Sequence, residues 1–294
     1  MLTTPEIFKR YEEIRSRMPQ AQILKNMRDI SDLTEIVKNA EAFVFDAFGV
    51  LNIGNTLITG ADLRLRELRE LGCEVRILTN AASYERSGAV TKFSKLGIEI
   101  KESEIITSRD AAIQTLTLGL WGVIASNEDC LEDIYVNYLR LGKYPYDYDR
   151  VDGFLFLSSS NWNESKQQLL KDSLLKNDRP VVIANPDLVA PRDNGFSIEP
   201  GHFGHLLADS GVTNVRFFGK PFPEVYDLVE ASLPGIPNNK IVMCGDTLHT
   251  DILGAATRGW QTVLVTQDGL FSGYDTKKYC SDSGIYPNWR LPRI

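Results

Sequence analysis

AFVFDAFGVL, residues 42–51, opens with an apolar run that stops at Asp46 and then at Gly49. Residues 42–49 are the first regular strand signal of the chain. A helix is predicted over 61–71 (ADLRLRELREL), with Leu63, Leu65, Leu68 and Leu71 as its apolar face and Gly72 as its stop. A second strand follows at 73–80 (CEVRILTN), then a helix over 84–96 that ends at Gly97. This β-α-β-α order predicts parallel strands joined by right-handed crossovers.

The same alternation extends to both sides. Residues 1–40 read as two polar helices packed on the outside. In the middle, strands are predicted at 121–125, 152–157 and 180–185, and helices near 129–141 and 163–176. The tract YPYDYD, 144–149, reads as a polar aromatic loop. Strand-loop-helix units return in NVRFFGKP (214–221) and KIVMCGD (240–246), and TVLVT (262–266) is expected to be the last core strand. The expected fold is therefore α/β, a Rossmann-like parallel sheet core (1–105 and 199–294) with an inserted α/β cap domain (106–198).

At 294 residues the chain suits about two domains. Its 43% apolar and 24% charged residues are the profile of a soluble globular protein. A net charge of -7 argues against a nucleic-acid partner, but one Lys and a metal ion can reverse the field locally for a small phosphorylated molecule. No apolar run reaches the ~18 residues that span a bilayer, so no membrane partner is expected. The charged N-terminal stretch lacks the apolar middle of a secretory signal, which makes cytoplasmic the expected location. The four cysteines are scattered with no CxxC pair, in keeping with a reducing compartment and no disulfides.

Four polar clusters follow four predicted core strands: Asp46, Thr79-Asn80, Lys220 and Asp246. In an open parallel sheet the carboxyl edge is where ligands bind, so these positions converge despite their spacing. Two acids, a small hydroxyl and one Lys suit a bound phosphate with a divalent cation. Taken singly, each has a plainer role. An Asp after a strand commonly caps a turn or helix, a Lys is commonly solvated, Thr79 can cap a helix and Asn80 can hold a turn. Asp251 can cap the following helix, and Asn185 with Asp187 can form an Asx turn. His202 and His205 have a zinc-like spacing but no further ligand pattern, so a surface helix is expected there.

With FDAFGVL (45–51), LTN (78–80), GKP (219–221) and GDTLHTD (245–251) in this order, the chain resembles the haloacid dehalogenase-like hydrolase superfamily. The insert ending in IANPDLVAPRDNGFSIEPG (183–201) resembles the second cap type, class IIA, of the para-nitrophenyl phosphatase and sugar-phosphatase-like proteins. The resemblance implies Mg2+-dependent hydrolysis of a small phosphomonoester, such as a sugar phosphate, through an aspartyl-phosphate on Asp46. It implies Thr79 and Asn80 on the phosphoryl oxygens, and Lys220 neutralising charge on the phosphoryl group and Asp46. Mg2+ falls to Asp46, the Phe48 backbone carbonyl and Asp246, supported by Asp251, while Asn185 and Asp187 sit near the cap–core junction facing substrate. Related capped proteins often pair through the cap, which adds a homodimer as an option.

One position departs from the family pattern. Phosphatases of this superfamily carry a second Asp two residues after the nucleophile, and here that residue is Phe48. A phenyl ring transfers no proton, and general acid–base help is worth ~100- to 10,000-fold. An aromatic there is similar to the dehalogenase branch, whose first motif can read Asp-Ala-Tyr-Gly and whose members need no metal. The intact GDTLHTD argues for a retained metal and ranks phosphoryl transfer first. The alternatives are a metal-independent hydrolase and a non-catalytic protein that binds phosphorylated metabolites.

Overall fold

The computed structural model describes residues 2–294. Its main sheet has seven parallel strands, in the order Arg28–Asp29, Trp289–Leu291, Gln261–Val265, Ile241–Gly245, Ala42–Phe45, Glu74–Thr79 and Ile105–Thr107. Ala42–Phe45 lies inside this sheet and every one of its residues is buried, which explains its unbroken apolar run. Phe45 pairs with Cys244 on one side and Ile77 on the other, and Thr79 pairs with Thr107. That register sets Asp46, Thr79, Asn80 and Asp246 along one carboxyl edge, at the centre of the sheet.

A second parallel sheet of five strands runs in the order Val215–Phe217, Val181–Ile183, Gly153–Phe156, Leu120–Ile124 and Asn137–Arg140. Sheet membership shifts the outline expected for the insert. Ile105–Thr107 completes the main sheet, whereas Val215–Phe217, beyond residue 198, pairs with Val181–Ile183 in the second. Two hairpins complete the strands: Asn52–Ile53 with Thr56–Leu57, and Val189–Arg192 with Gly195–Ile198. The turn residue Gly54 of the first faces the Asp193 carboxylate of the second.

Several local expectations fail for physical reasons. Residues 129–141 form no helix; Asn137–Arg140 is an edge strand instead. Arg109 binds both Asp129 and Asp133, and the β-branched and aromatic residues Ile134, Tyr135, Val136 and Tyr138 favour extended chain. The aromatic tract at 144–149 is a short helix, Pro145–Asp149, started by its proline and anchored by buried Tyr148, whose hydroxyl donates to the Gly142 carbonyl at 2.8 Å. Ala61–Glu70 is helical as expected, but only Leu65 and Leu68 face the core, while Leu63 and Leu71 are exposed.

The N-terminal region holds one α-helix, Thr4–Glu13, and two 3-10 stretches, Arg15–Arg17 and Leu33–Asn39, rather than two polar helices. Between them Arg28–Asp29 extends the main sheet through Trp289–Leu291, so 262–266 is not the last core strand. His202 and His205 do lie on a helix, Pro200–Asp209, yet His205 is buried and stacks on Phe217 with centroids 4.2 Å apart.

Candidate active site

Asp46 leaves the Ala42–Phe45 strand with its amide donating to the Cys244 carbonyl at 2.9 Å. Its carboxylate accepts from the Ala47 amide at 2.7 Å and lies 2.6 Å from Lys220 Nζ. The same ammonium is 2.8 Å from Asp251 Oδ1. Lys220 and Asp251 are both fully buried, so this ion pair lies beneath the sheet edge rather than on its surface. Asp246 leaves the neighbouring strand, and its two oxygens accept from the Leu270 amide at 2.7 Å and the Thr247 hydroxyl at 2.9 Å.

Two glycines make that geometry accessible. A β-carbon at Gly269 comes within 2.1 Å of the Asp246 carboxylate, and one at Gly49, where φ is 79°, within 2.6 Å. Asp251 sits in a π-helical turn, Leu248–Ile252, and accepts from the Thr247 amide at 3.0 Å. The turn is backed by His249, which stacks on Tyr11 and contacts Glu12 of the N-terminal helix. Tyr11 in turn accepts a hydrogen bond from the Leu188 amide, so one helix braces both this turn and the insert.

Electrostatically the floor is short of positive charge. Asp46, Asp187 and Asp251 act on the buried cation Lys220, and Asp246 clusters with Asp46 and Asp251. Burial, with neighbouring carboxylates adding to it, pushes Asp46 up to about 6, Asp246 up to about 8 and Asp187 well above the usual carboxylate range. Burial opposes the charge on Lys220, but Asp251, Asp46 and Asp187 outweigh it and hold its pKa above the ordinary value. Oxygen atoms of Asp46, Asp246 and Asp251 lie within 4.8 Å of one another. A cluster of hard carboxylate donors with an excess of negative charge fits a divalent cation such as Mg2+.

Above this floor lies a cleft of about 230 Å³. Asp46, Phe48, Thr79, Asn80 and Asp246 line it from the core, and Asn185 and Asp187 from the insert. Thr79 ends its strand with Oγ1 accepting from the Ala81 amide at 3.1 Å, which leaves the hydroxyl proton free to donate. Asn80 is used differently from expectation. Its Nδ2 donates to Asp187 Oδ1 at 2.8 Å and the Lys220 carbonyl at 3.1 Å, and its Oδ1 accepts from the Lys220 amide at 2.8 Å. The side chain thus clips insert to core and has little capacity left for a phosphoryl oxygen.

Asn185 is likewise occupied. Its Oδ1 accepts from the Asp187 amide at 3.0 Å, an Asx turn, and its Nδ2 donates to Glu199 at 3.1 Å.

Two cleft residues carry no signal in the sequence. Lys92, on the helix Arg86–Lys95, places Nζ 3.9 Å from the centroid of the Phe48 ring. Arg192, at the end of a hairpin strand of the insert, places its guanidinium carbon 4.8 Å from the same centroid. Burial, helped by Arg192, lowers the Lys92 pKa to about 8. A lone Lys in a helix looks like any solvated Lys, and only the fold brings it to the cleft.

Residues 43–132 match the family described as haloacid dehalogenase-like hydrolase, and residues 217–283 match one described as HAD-hydrolase-like. Chronophin of Rattus norvegicus is 26% identical over 259 residues, covering 84% of this chain and 82% of its own. The acid sugar phosphatase of Staphylococcus haemolyticus is 24% identical over 250 residues, covering 82% and 90%. A crystal structure of a possible sugar phosphatase from Cytophaga hutchinsonii superposes with a TM-score of 0.79 at 22% identity, covering 90% of this chain and 98% of that one. The two family matches bracket the insert, together span more than half of the sequence, and contain Asp46, Thr79, Lys220, Asp246 and Asp251. The chain belongs to the haloacid dehalogenase-like hydrolase family.

Proposed function

We propose that the protein is a Mg2+-dependent phosphatase that hydrolyses a small phosphomonoester, a sugar phosphate among the candidates, through an aspartyl-phosphate on Asp46. The observation that carries this reading is the floor of the cleft, where the Asp46 carboxylate is 2.6 Å from buried Lys220 and clustered with Asp246 and Asp251. The relatives named as phosphatases support it.

In this mechanism an Asp46 oxygen attacks phosphorus, the bond to the leaving oxygen breaks, and water then releases phosphate from Asp46. Lys220 neutralises charge on Asp46 and on the transferring group. Thr79 donates its free hydroxyl proton to a phosphoryl oxygen. Asp46, Asp246 and the Phe48 carbonyl, with Asp251 in support, would hold Mg2+, which would supply positive charge against the phosphoryl oxygens. A metal-free displacement gives three clustered carboxylates no role, which sets the dehalogenase alternative behind.

Phosphate release from para-nitrophenyl phosphate with Mg2+ and with EDTA tests the proposal. EDTA is expected to lower the rate by at least about 100-fold. Equal rates in the two conditions contradict a metal-dependent phosphatase.

A further inference from the structure

Phe48 is a platform for two cations from opposite sides of the cleft. Lys92 comes from a core helix, with Nζ 3.9 Å from the ring centroid. Arg192 comes from the hairpin of the insert, with its guanidinium carbon 4.8 Å from the same centroid. The aromatic face attracts both, yet it brings no negative charge to neutralise them.

Their existing partners leave capacity. Arg192 is fixed by Nε donating to Ser197 Oγ at 2.8 Å and Nη2 to Glu199 Oε1 at 3.1 Å. Nη1 makes no hydrogen bond among the described residues. Lys92 has neither a side-chain hydrogen bond nor an ion pair among the described residues, although it is half-buried at the cleft wall. The acids of the floor are committed elsewhere: Asp46 to Lys220 and Asp187 to Asn80. On this wall Glu199 is bonded to one of the two cations, and Asp46, which acts on Lys92 through space, is held by Lys220.

We infer that Lys92 and Arg192, held on Phe48, form a subsite for a second anionic group of the substrate, a carboxylate or a second phosphate, carried on the same small molecule as the phosphoryl group. This rests on the phosphatase proposal and narrows its substrate class. The phosphate of an uncharged sugar leaves both cations unanswered, whereas a molecule with a second anionic group places its phosphoryl group over Asp46 and Lys220 and the other anion against Lys92 and Arg192. Because one cation belongs to the core and the other to the insert, the second anion also bridges the two across the cleft.

The test uses matched ligands with Mg2+ present: 3-phosphopropionate against its amide, and 1,3-propanediol bisphosphate against the monophosphate. Affinities are read by calorimetry and turnover by phosphate release, with para-nitrophenyl phosphate as reference. The native protein is expected to prefer the second anion by about tenfold or more in affinity or kcat/KM, since each tenfold step needs only one good ionic contact. The pair with the larger preference identifies carboxylate or phosphate as the better occupant.

Lys92→Met and Arg192→Met, which keep an apolar stem on the ring, are expected to bring the preference within each pair close to unity. Lys92→Arg should restore most of it, which a purely structural role does not predict. Equal affinities within both pairs for the native protein overturn the subsite, as does a preference that survives both Met variants. Loss of para-nitrophenyl phosphate turnover with the preference intact in calorimetry contradicts the phosphatase proposal alone.

Discussion

Position 48 concentrates the chemistry that is particular to this chain. The family pattern carries an Asp there; here a phenyl ring packs against the core below and meets Lys92 and Arg192 on its faces. Two consequences follow for turnover. Leaving groups must depart without a proton from this residue, which favours aryl and acyl phosphates over sugar phosphates. The water that attacks the phosphorylated Asp46 also loses its general base, so the covalent intermediate should be long-lived. Phe48→Asp is expected to fold, because the new carboxylate arrives between two cations rather than in an apolar void. It should raise hydrolysis of alkyl phosphates by up to about 100-fold and flatten the dependence of rate on leaving-group pKa. A series of leaving groups on both proteins, with thermal melting as a check of fold, measures this. An unchanged slope in a well-folded, active variant contradicts the assignment of position 48.

Among the elements, the joints between the two sheets matter most. Arg109, on the short helix Ser108–Ile113 that follows the main-sheet strand Ile105–Thr107, reaches Asp129 at 2.5 Å and Asp133 at 2.6 Å, and donates to the Ala82 carbonyl at 3.2 Å. Its side chain is 1% exposed, so removing the guanidinium strands two carboxylates, one of them fully buried. Arg109→Met is expected to cost about 3–5 kcal/mol, seen as a fall of about 10 °C in Tm. Adding Asp129→Leu and Asp133→Leu should recover most of the loss. A fall of less than about 2 °C for the single variant shows that the joint contributes little.

This same cluster explains what the sequence concealed. Strands such as 42–45 and 241–245 announce themselves, because burial on both faces demands an unbroken apolar run. The segment 129–141 has helical spacing, but its form is decided by Arg109, twenty residues or more away in sequence. Legibility of the site divides in the same way. Asp46, Thr79, Lys220 and Asp246 each follow an apolar strand and could be found by eye. Lys92 and Arg192 have no such punctuation, and the real use of Asn80, as a clip to Asp187 and Lys220, depends on a contact across more than a hundred residues.

For the molecule as a whole, the fold places one cleft between a main sheet, whose carboxyl edge carries Asp46, Thr79 and Asp246, and an insert that supplies Asp187, Arg192 and Glu199, while Lys220 enters after the second-sheet strand Val215–Phe217 and not from a main-sheet strand as the sequence suggested. No helix among the described residues is long and apolar enough to cross a membrane. The N-terminal helix Thr4–Glu13 ties the assembly together: Thr4 donates to the Leu270 carbonyl behind Asp246, Tyr11 holds Leu188 of the insert, and Glu12 holds His249 beside Asp251. Core, insert and terminus thus converge on the carboxylate of Asp46, the group proposed to react. The proposed mechanism requires that carboxylate to become covalently phosphorylated and Phe48 to slow its release. The most direct measurement is rapid acid quenching of the protein mixed with Mg2+ and acetyl phosphate labelled on phosphorus, followed by peptide mapping. Label is expected to accumulate on the protein within the first turnover, to be released by hydroxylamine, and to map to the peptide containing Asp46. It should be absent with EDTA and in Asp46→Asn. Steady phosphate release without protein-bound label at any quench time, or label retained by Asp46→Asn, would contradict the account.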